Sequence, residues 1–169
     1  VDDIIIAYGS NQTMGHMRAS QQFEVVVKAL VQSGLTLKAH SRLWCSKAWP
    51  NSDDPPFVNA VLLMSTKSSA QALLHDLQLI EKDFGRILSE RNAPRSVDLD
   101  IIYFSDLILN TDSLTIPHKS AHERGFVMGP LSEIYPNWIH PILKKTAFEL
   151  WKNAKIGADA RPMEVENEI

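Results

Sequence analysis

One cysteine, Cys45, excludes an intrachain disulfide and any zinc cluster built from cysteines. No apolar run approaches the roughly 18 to 20 residues that a membrane-spanning helix needs. The opening Val1-Asp2-Asp3-Ile4-Ile5-Ile6 has no basic stretch ahead of its apolar residues, so no secretory signal is read there. Positive charge is not in excess: 17 Lys and Arg against 20 Asp and Glu leave a formal charge of -3. That balance argues against a general nucleic-acid binder, which needs a basic footprint for the phosphates. Both common glycine-rich phosphate cradles are missing, Gly-x-x-x-x-Gly-Lys-[Ser/Thr] and Gly-x-Gly-x-x-Gly. The expectation is a cytoplasmic protein with no membrane and no nucleic-acid partner. A monomer is expected, with protein partners unassigned.

What is present is ample core material, 44% of 169 residues being hydrophobic, enough for one domain that needs no metal or disulfide to fold. Ile4 to Tyr8 is a short apolar run ending in the turn-like Gly9-Ser10-Asn11. Helical periodicity runs from about His16 to Ser33, with Phe23, Val26, Val27, Leu30 and Val31 on one face and Gly34 placed as a left-handed cap. Leu35 to Trp44 reads as extended. Cys45 to Pro56, with three prolines around Trp49, suits a long surface loop. Phe57 to Thr66 is its partner strand, and Ser68 or Ser69 caps a second helix to about Phe84. Val97 to Phe104 is a further strand. A short strand pair follows around Leu107–Leu109 and Leu114–Ile116, then turns, and a last helix near Lys144 to Asn153. The order strand, helix, strand, strand, helix, strand predicts an α+β, ferredoxin-like βαββαβ core. It would have an antiparallel sheet with helices on one face and a long surface loop. One domain is expected over 1–154, with a mobile tail over 155–169.

The most informative segment is Val97-Asp98-Leu99-Asp100-Ile101. Residues two apart on a strand share a face, so Asp98 and Asp100 project together. Paired carboxylates in an apolar strand repel and resist desolvation. Magnesium with phosphate oxygens in its shell would remove that cost, whereas a strand end open to solvent would merely hydrate them. Arg86, Arg91 and Arg95 precede the pair and could clamp a polyphosphate, or equally pair with Glu81, Asp83 and Glu90. His118 and Arg124 could approach phosphates, and Phe126 could stack on a planar ring. Trp49, Phe57 and Asn59 add aromatic faces and an amide able to read donor and acceptor edges. Each of these also has an ordinary core or surface reading.

Taken together, several pieces resemble the 6-hydroxymethyl-7,8-dihydropterin pyrophosphokinase family of folate biosynthesis. They are Ala7-Tyr8-Gly9-Ser10-Asn11, Phe57-Val58-Asn59-Ala60, Glu81 to Gly85-Arg86, and Pro94-Arg95-Ser96-Val97-Asp98-Leu99-Asp100-Ile101. Ile116-Pro117-His118, Arg124-Gly125-Phe126-Val127 and Pro130 to Ile134 complete the set, spanning about Ile4 to Leu150. The resemblance implies a transferase that moves pyrophosphate from ATP to the dihydropterin and releases AMP, with two magnesium ions on Asp98 and Asp100. It assigns Arg86 and Arg95 to the polyphosphate, and Glu81, Thr115, His118 and Arg124 to further nucleotide contacts. Ser46, Trp49, Phe57, Asn59 and Phe126 match the pterin pocket, with Phe57 and Phe126 sandwiching the ring and Gly9 beside it. The resemblance also implies long mobile substrate loops that close over both substrates. Leu88, Ser113 and Lys47 depart from the family's usual residues, and the loop between Gly85 and Pro94 looks one residue short. Those departures motivate a rival reading, a relative that holds pterin or nucleotide without turnover. A nucleic-acid-binding module is the other alternative, disfavoured because the aspartates would repel a phosphate backbone.

Overall fold

The computed structural model describes residues 1–10, 18–47, 56–89 and 97–164, and of residues 86–89 the backbone alone. Three long strands form the centre: β1 (Asp2–Ser10), β4 (Phe57–Thr66) and β5 (Val97–Phe104). The shorter β2 (Thr36–His40) and β3 (Trp44–Ser46) both pair with β4, and β8 (Arg161–Pro162) extends the sheet beyond β3. The order is β5-β1-β4-β3-β8, and every strand pair is antiparallel. A separate ribbon joins β6 (Leu109–Asn110) to β7 (Thr115–Ile116).

Alternation along β1 decides what each sheet face does. Ile4, Ile6 and Tyr8 point to the face covered by α1 (Ala19–Gln32) and α2 (Ala70–Ser89), where Phe23, Val26, Leu30, Leu73 and Leu77 meet them. Their neighbours Ile5 and Ala7 point to the opposite face, with Val61 and Ile102. Here the expectation of helices on one face only is corrected. α3 (Gly125–Ile134) and α4 (Ala147–Asn153) pack Val127, Met128, Leu131 and Leu150 onto this second face. The sequence pattern hid α3 because its buried run is nearly continuous, so no 3.6-residue stripe stands out.

Two helix ends behave as their chemistry requires. Gly34 takes φ +109°, and its N–H bonds to the carbonyl of Val31, closing α1 in the left-handed region. Thr146 caps α4, its hydroxyl accepting from the Glu149 N–H at 3.1 Å. Residues 155–164, read from the sequence as the start of a tail, carry β8 and bury Ala160. The boundary set at residue 154 therefore falls inside the packed structure. Substrate loops were expected over residues 45–56 and 85–96; instead Cys45 and Ser46 belong to β3 and residues 85–89 to α2, while residues 48–55 and 90–96 lie outside the described residues. No described helix is long and apolar enough to cross a membrane.

α3 approaches β3 closely through Gly129, where a Cβ would lie 2.6 Å from Trp44 Cζ3. Glu133 holds the same contact, accepting from Trp44 Nε1 at 3.1 Å and from Arg42 Nε at 2.9 Å. Gly129→Val should overpack this contact and cost about 1–3 kcal/mol. Thermal unfolding checks it, and an unchanged midpoint would show that the indole yields freely.

Candidate active site

The second sheet face is covered by helices at one end and open at the other. The antiparallel register fixes what lies at the open end. Gly9 of β1 stands opposite Asp98 of β5 on one side and opposite Asn59 of β4 on the other. One step along, Ala7 stands opposite Asp100, and at the far edge Ser46 of β3 stands opposite Phe57. Directly paired residues share a face, so these side chains converge. They line a cavity of about 980 Å³, with Arg124 and Phe126 entering from the start of α3.

Gly9 occupies the middle of this row because nothing larger fits without intruding. A Cβ there would lie 3.1 Å from Asn59 Nδ2 and 4.0 Å from Asp98 Cβ. Asn59 lines the cavity, and its Nδ2 lies 3.5 Å from the Tyr8 carbonyl, at the limit of a hydrogen bond. Its Oδ1 is buried with no hydrogen-bond partner among the described residues, an arrangement that costs free energy unless a donor meets it.

Asp98 and Asp100 have no hydrogen-bond or ion-pair partner among the described residues. Burial, and then the neighbouring Asp100, push the Asp98 carboxyl above its ordinary range. Glu81 projects from α2 to the outer edge of β5, where Oε2 accepts the Leu99 N–H at 3.0 Å. Burial raises Glu81 as well; the Leu99 bond opposes this, and Asp98 and Asp100 add to it. Glu81 thus ties down the peptide between the two aspartates.

No group of three His, Cys, Asp or Glu side chains is placed to hold a metal ion among the described residues. The two unpartnered carboxylates are nonetheless an all-oxygen donor set, short of ligands by itself. It suits a hard divalent cation whose remaining ligands come from phosphates and water. The residues present fit magnesium on that basis.

His118 follows β7 and is fixed by its backbone, its N–H bonding to the Ile102 carbonyl at 3.1 Å. Its Nδ1 accepts from the Ser120 N–H at 3.1 Å, so the neutral ring carries its proton on Nε2. Burial lowers its pKa; Asp100 opposes the shift, and Arg124, Lys119 and His122 reinforce it. A neutral imidazole with a fixed Nε2 donor results. Neither it, Glu81 nor Thr115 lines the cavity, and Thr115 Oγ1 donates to Asn110 Oδ1 at 3.4 Å.

Of the residues singled out from sequence, Gly9, Ser46, Phe57, Asn59, Asp98, Asp100, Arg124 and Phe126 come together around the cavity. Trp49, Arg95 and the side chains of Arg86 and Leu88 lie outside the described residues. Ser113 is held in a turn, accepting from Gln71 Nε2 at 3.2 Å. Lys47, noted only as a departure, lines the cavity, as do Lys155, Gly157 and Asp159. Those last three were missed, because a polar stretch after the final helix has no periodicity to place it.

The raised Asp98 pKa has a definite sign. In the fold the carboxyl ionises against burial and a like charge, so stability is lost as pH rises through its elevated pKa. Without divalent cations, Asp98→Asn should therefore be more stable than the parent at neutral pH. The gap should close below the ordinary aspartate value of 3.8. Added magnesium should stabilise the parent more than the variant. Thermal unfolding across pH, with and without magnesium, reads both, and a variant less stable at neutral pH would contradict the repulsion.

Comparison with known proteins places this cavity in a family. The model of the 7,8-dihydro-6-hydroxymethylpterin-pyrophosphokinase family matches residues 5–136. The 2-amino-4-hydroxy-6-hydroxymethyldihydropteridine pyrophosphokinase of Haemophilus influenzae is 37% identical over 137 residues, covering 80% of this chain and 83% of that protein. A folic acid synthesis protein of Dictyostelium discoideum is 33% identical over 158 residues, covering 92% of this chain but 23% of that protein. The chain thus spans about a quarter of the length of that larger relative. In fold, the wild-type Plasmodium falciparum HPPK-DHPS crystal structure superposes with a TM-score of 0.67 at 14% identity, covering 97% of this chain and 48% of that one. The matched span holds the aspartates of β5, the Asn59 and Phe57 positions of β4 and the Arg124–Phe126 start of α3, and on these grounds the chain belongs to the 7,8-dihydro-6-hydroxymethylpterin-pyrophosphokinase family.

Proposed function

We propose that the chain transfers pyrophosphate from ATP to 6-hydroxymethyl-7,8-dihydropterin and releases AMP, on a ferredoxin-like core in which β2 and β3 stand for one strand. The observation that carries the reading is the row Asp98–Gly9–Asn59 across three adjacent strands. Two strand spacings separate the ends of that row, roughly 10 Å. That is room for a bicyclic ring whose edge meets Asn59 and whose substituent reaches the carboxylates.

The pterin end requires a polar edge reader and apolar faces. Asn59 Oδ1 needs a donor, and the amine and ring N–H of a pterin supply such donors. Phe57 and Phe126 border the same cavity and would enclose the ring faces. Ser46, buried on β3, closes the far wall. Gly9 leaves the space between amide and carboxylate open.

At the other end Asp98 and Asp100 would hold two magnesium ions. Bound there with phosphate oxygens, magnesium would neutralise charge and make the hydroxymethyl group more acidic. The hydroxymethyl oxygen attacks the β-phosphorus in line, the bond from that phosphorus to the α–β bridging oxygen breaks, and AMP departs. His118 donates from Nε2 while neutral, and Arg124, stacked 5.8 Å from the Phe126 centroid, supplies fixed positive charge beside the cavity. Arg86 and Arg95 are assigned to the transferring group, whose charge grows along the reaction. The ordered wall of α3 and β3 excludes water from the ring and holds the reactants in register.

Turnover of Asp100→Asn, with ATP, magnesium and the dihydropterin, tests this reading. The substitution removes one charge at nearly constant volume, so the fold should persist. Activity should fall roughly 100-fold or more, as loss of a transition-state electrostatic group does. Parental turnover with parental magnesium dependence would remove the aspartates from the site.

A further inference from the structure

The stretch after α4 has no role in the reading above, yet it forms one wall of the cavity. It runs alongside the start of α3, where Gly125 N–H donates to the Ile156 carbonyl at 2.7 Å and Ile156 N–H to the Glu123 carbonyl at 3.2 Å. Two glycines make this approach possible. A Cβ on Gly125 would lie 2.4 Å from the Gly157 carbonyl oxygen, and one on Gly157 would lie 2.5 Å from Phe126 Cδ1. Gly157 also takes φ +65°, a conformation that a side chain disfavours. The Phe126 ring therefore occupies the space that a side chain at 157 would need.

Two residues on, the same stretch grips the opposite wall. Asp159 Oδ2 accepts the Lys47 backbone N–H at 2.8 Å, immediately after Ser46 at the end of β3. Beyond it Met163 N–H bonds to the Leu43 carbonyl at 2.8 Å, and β8 pairs with β3. One short segment thus joins the α3 wall, which carries Phe126, to the β3 wall, which carries Ser46.

We propose that Gly157 and Asp159 are positioning residues for heterocycle recognition: Gly157 leaves room for the Phe126 ring, and Asp159 holds the Ser46–Lys47 end of β3 against the pocket. The inference rests on the pterin reading of the cavity. It assigns a specificity role to a segment beyond residue 136, where the family match ends. Neither residue contacts the reacting atoms; both act through the walls they hold.

A double-mutant cycle separates this role from a purely structural one. Calorimetric titration with 6-hydroxymethyl-7,8-dihydropterin should show Gly157→Ala raising its Kd at least tenfold, while the Kd of magnesium-ATP changes less than twofold. In a Phe126→Ala background the added methyl group has room, so Gly157→Ala should cost less than threefold further. The same cycle read by thermal unfolding should show the matching relief without any ligand. Asp159→Ala should weaken pterin binding several-fold, and Asp159→Asn, which keeps an acceptor oxygen for Lys47 N–H, should restore it. Equal costs of Gly157→Ala in both backgrounds, or an Asp159→Asn as weak as Asp159→Ala, would overturn the proposal. If the parent chain bound no pterin, the functional reading would fall instead, and the thermal cycle would still report on the Gly157–Phe126 contact.

Discussion

The site depends on the register in which β1 is held between β4 and β5. Opposed hydrophobic sets fix that register, with Ile4, Ile6 and Tyr8 buried under α1 and α2 and Ile5 and Ala7 buried under α3. A slip of one residue would turn each set to the other face. The same slip in β5 would turn Asp98 and Asp100 toward the face that α1 and α2 cover. The core on both faces therefore specifies which side chains meet at the cavity, and Gly9 keeps the meeting point open.

The energetics of the site run against those of the core. Two carboxylates and a buried amide oxygen that find no partner among the described residues are unfavourable in the fold by themselves. Such groups persist where surrounding packing holds them and a ligand relieves them. Glu81 contributes to that holding by accepting the Leu99 N–H between the aspartates, while burial, and then Asp98 and Asp100, raise its own pKa. His118 is constrained in a similar way, its tautomer set by Ser120 and its neutrality by burial. Both side chains are thereby held in one arrangement by the backbone N–H groups that donate to them.

Much of this was legible in the residues. Alternation placed Asp98 and Asp100 on one face, and β4 and β5 run over the residues read as strands. Periodicity found α1; the last helix was expected from about Lys144, whereas Thr146 caps it and Ala147 begins it. α3 was not legible as a helix, since burial on nearly every side erases the amphipathic stripe that marks one. Nor did local pattern show that Gly157 and Asp159 reach the cavity. Their role comes from contacts with Phe126 and Lys47, residues far away in sequence, and composition alone made the stretch look like a solvated end. Ser46 was recoverable only through resemblance, because its place depends on pairing with Phe57 across β3 and β4.

The central claim is that the row Asp98–Gly9–Asn59 brings a hydroxymethyl oxygen to the β-phosphorus rather than the γ-phosphorus of ATP. Identifying the nucleotide product tests it most directly. Chromatography of a reaction with ATP, magnesium and 6-hydroxymethyl-7,8-dihydropterin should show AMP and the pterin diphosphate rising together in equal amounts. ADP appearing in step with a pterin monophosphate would contradict the account, whatever the rate.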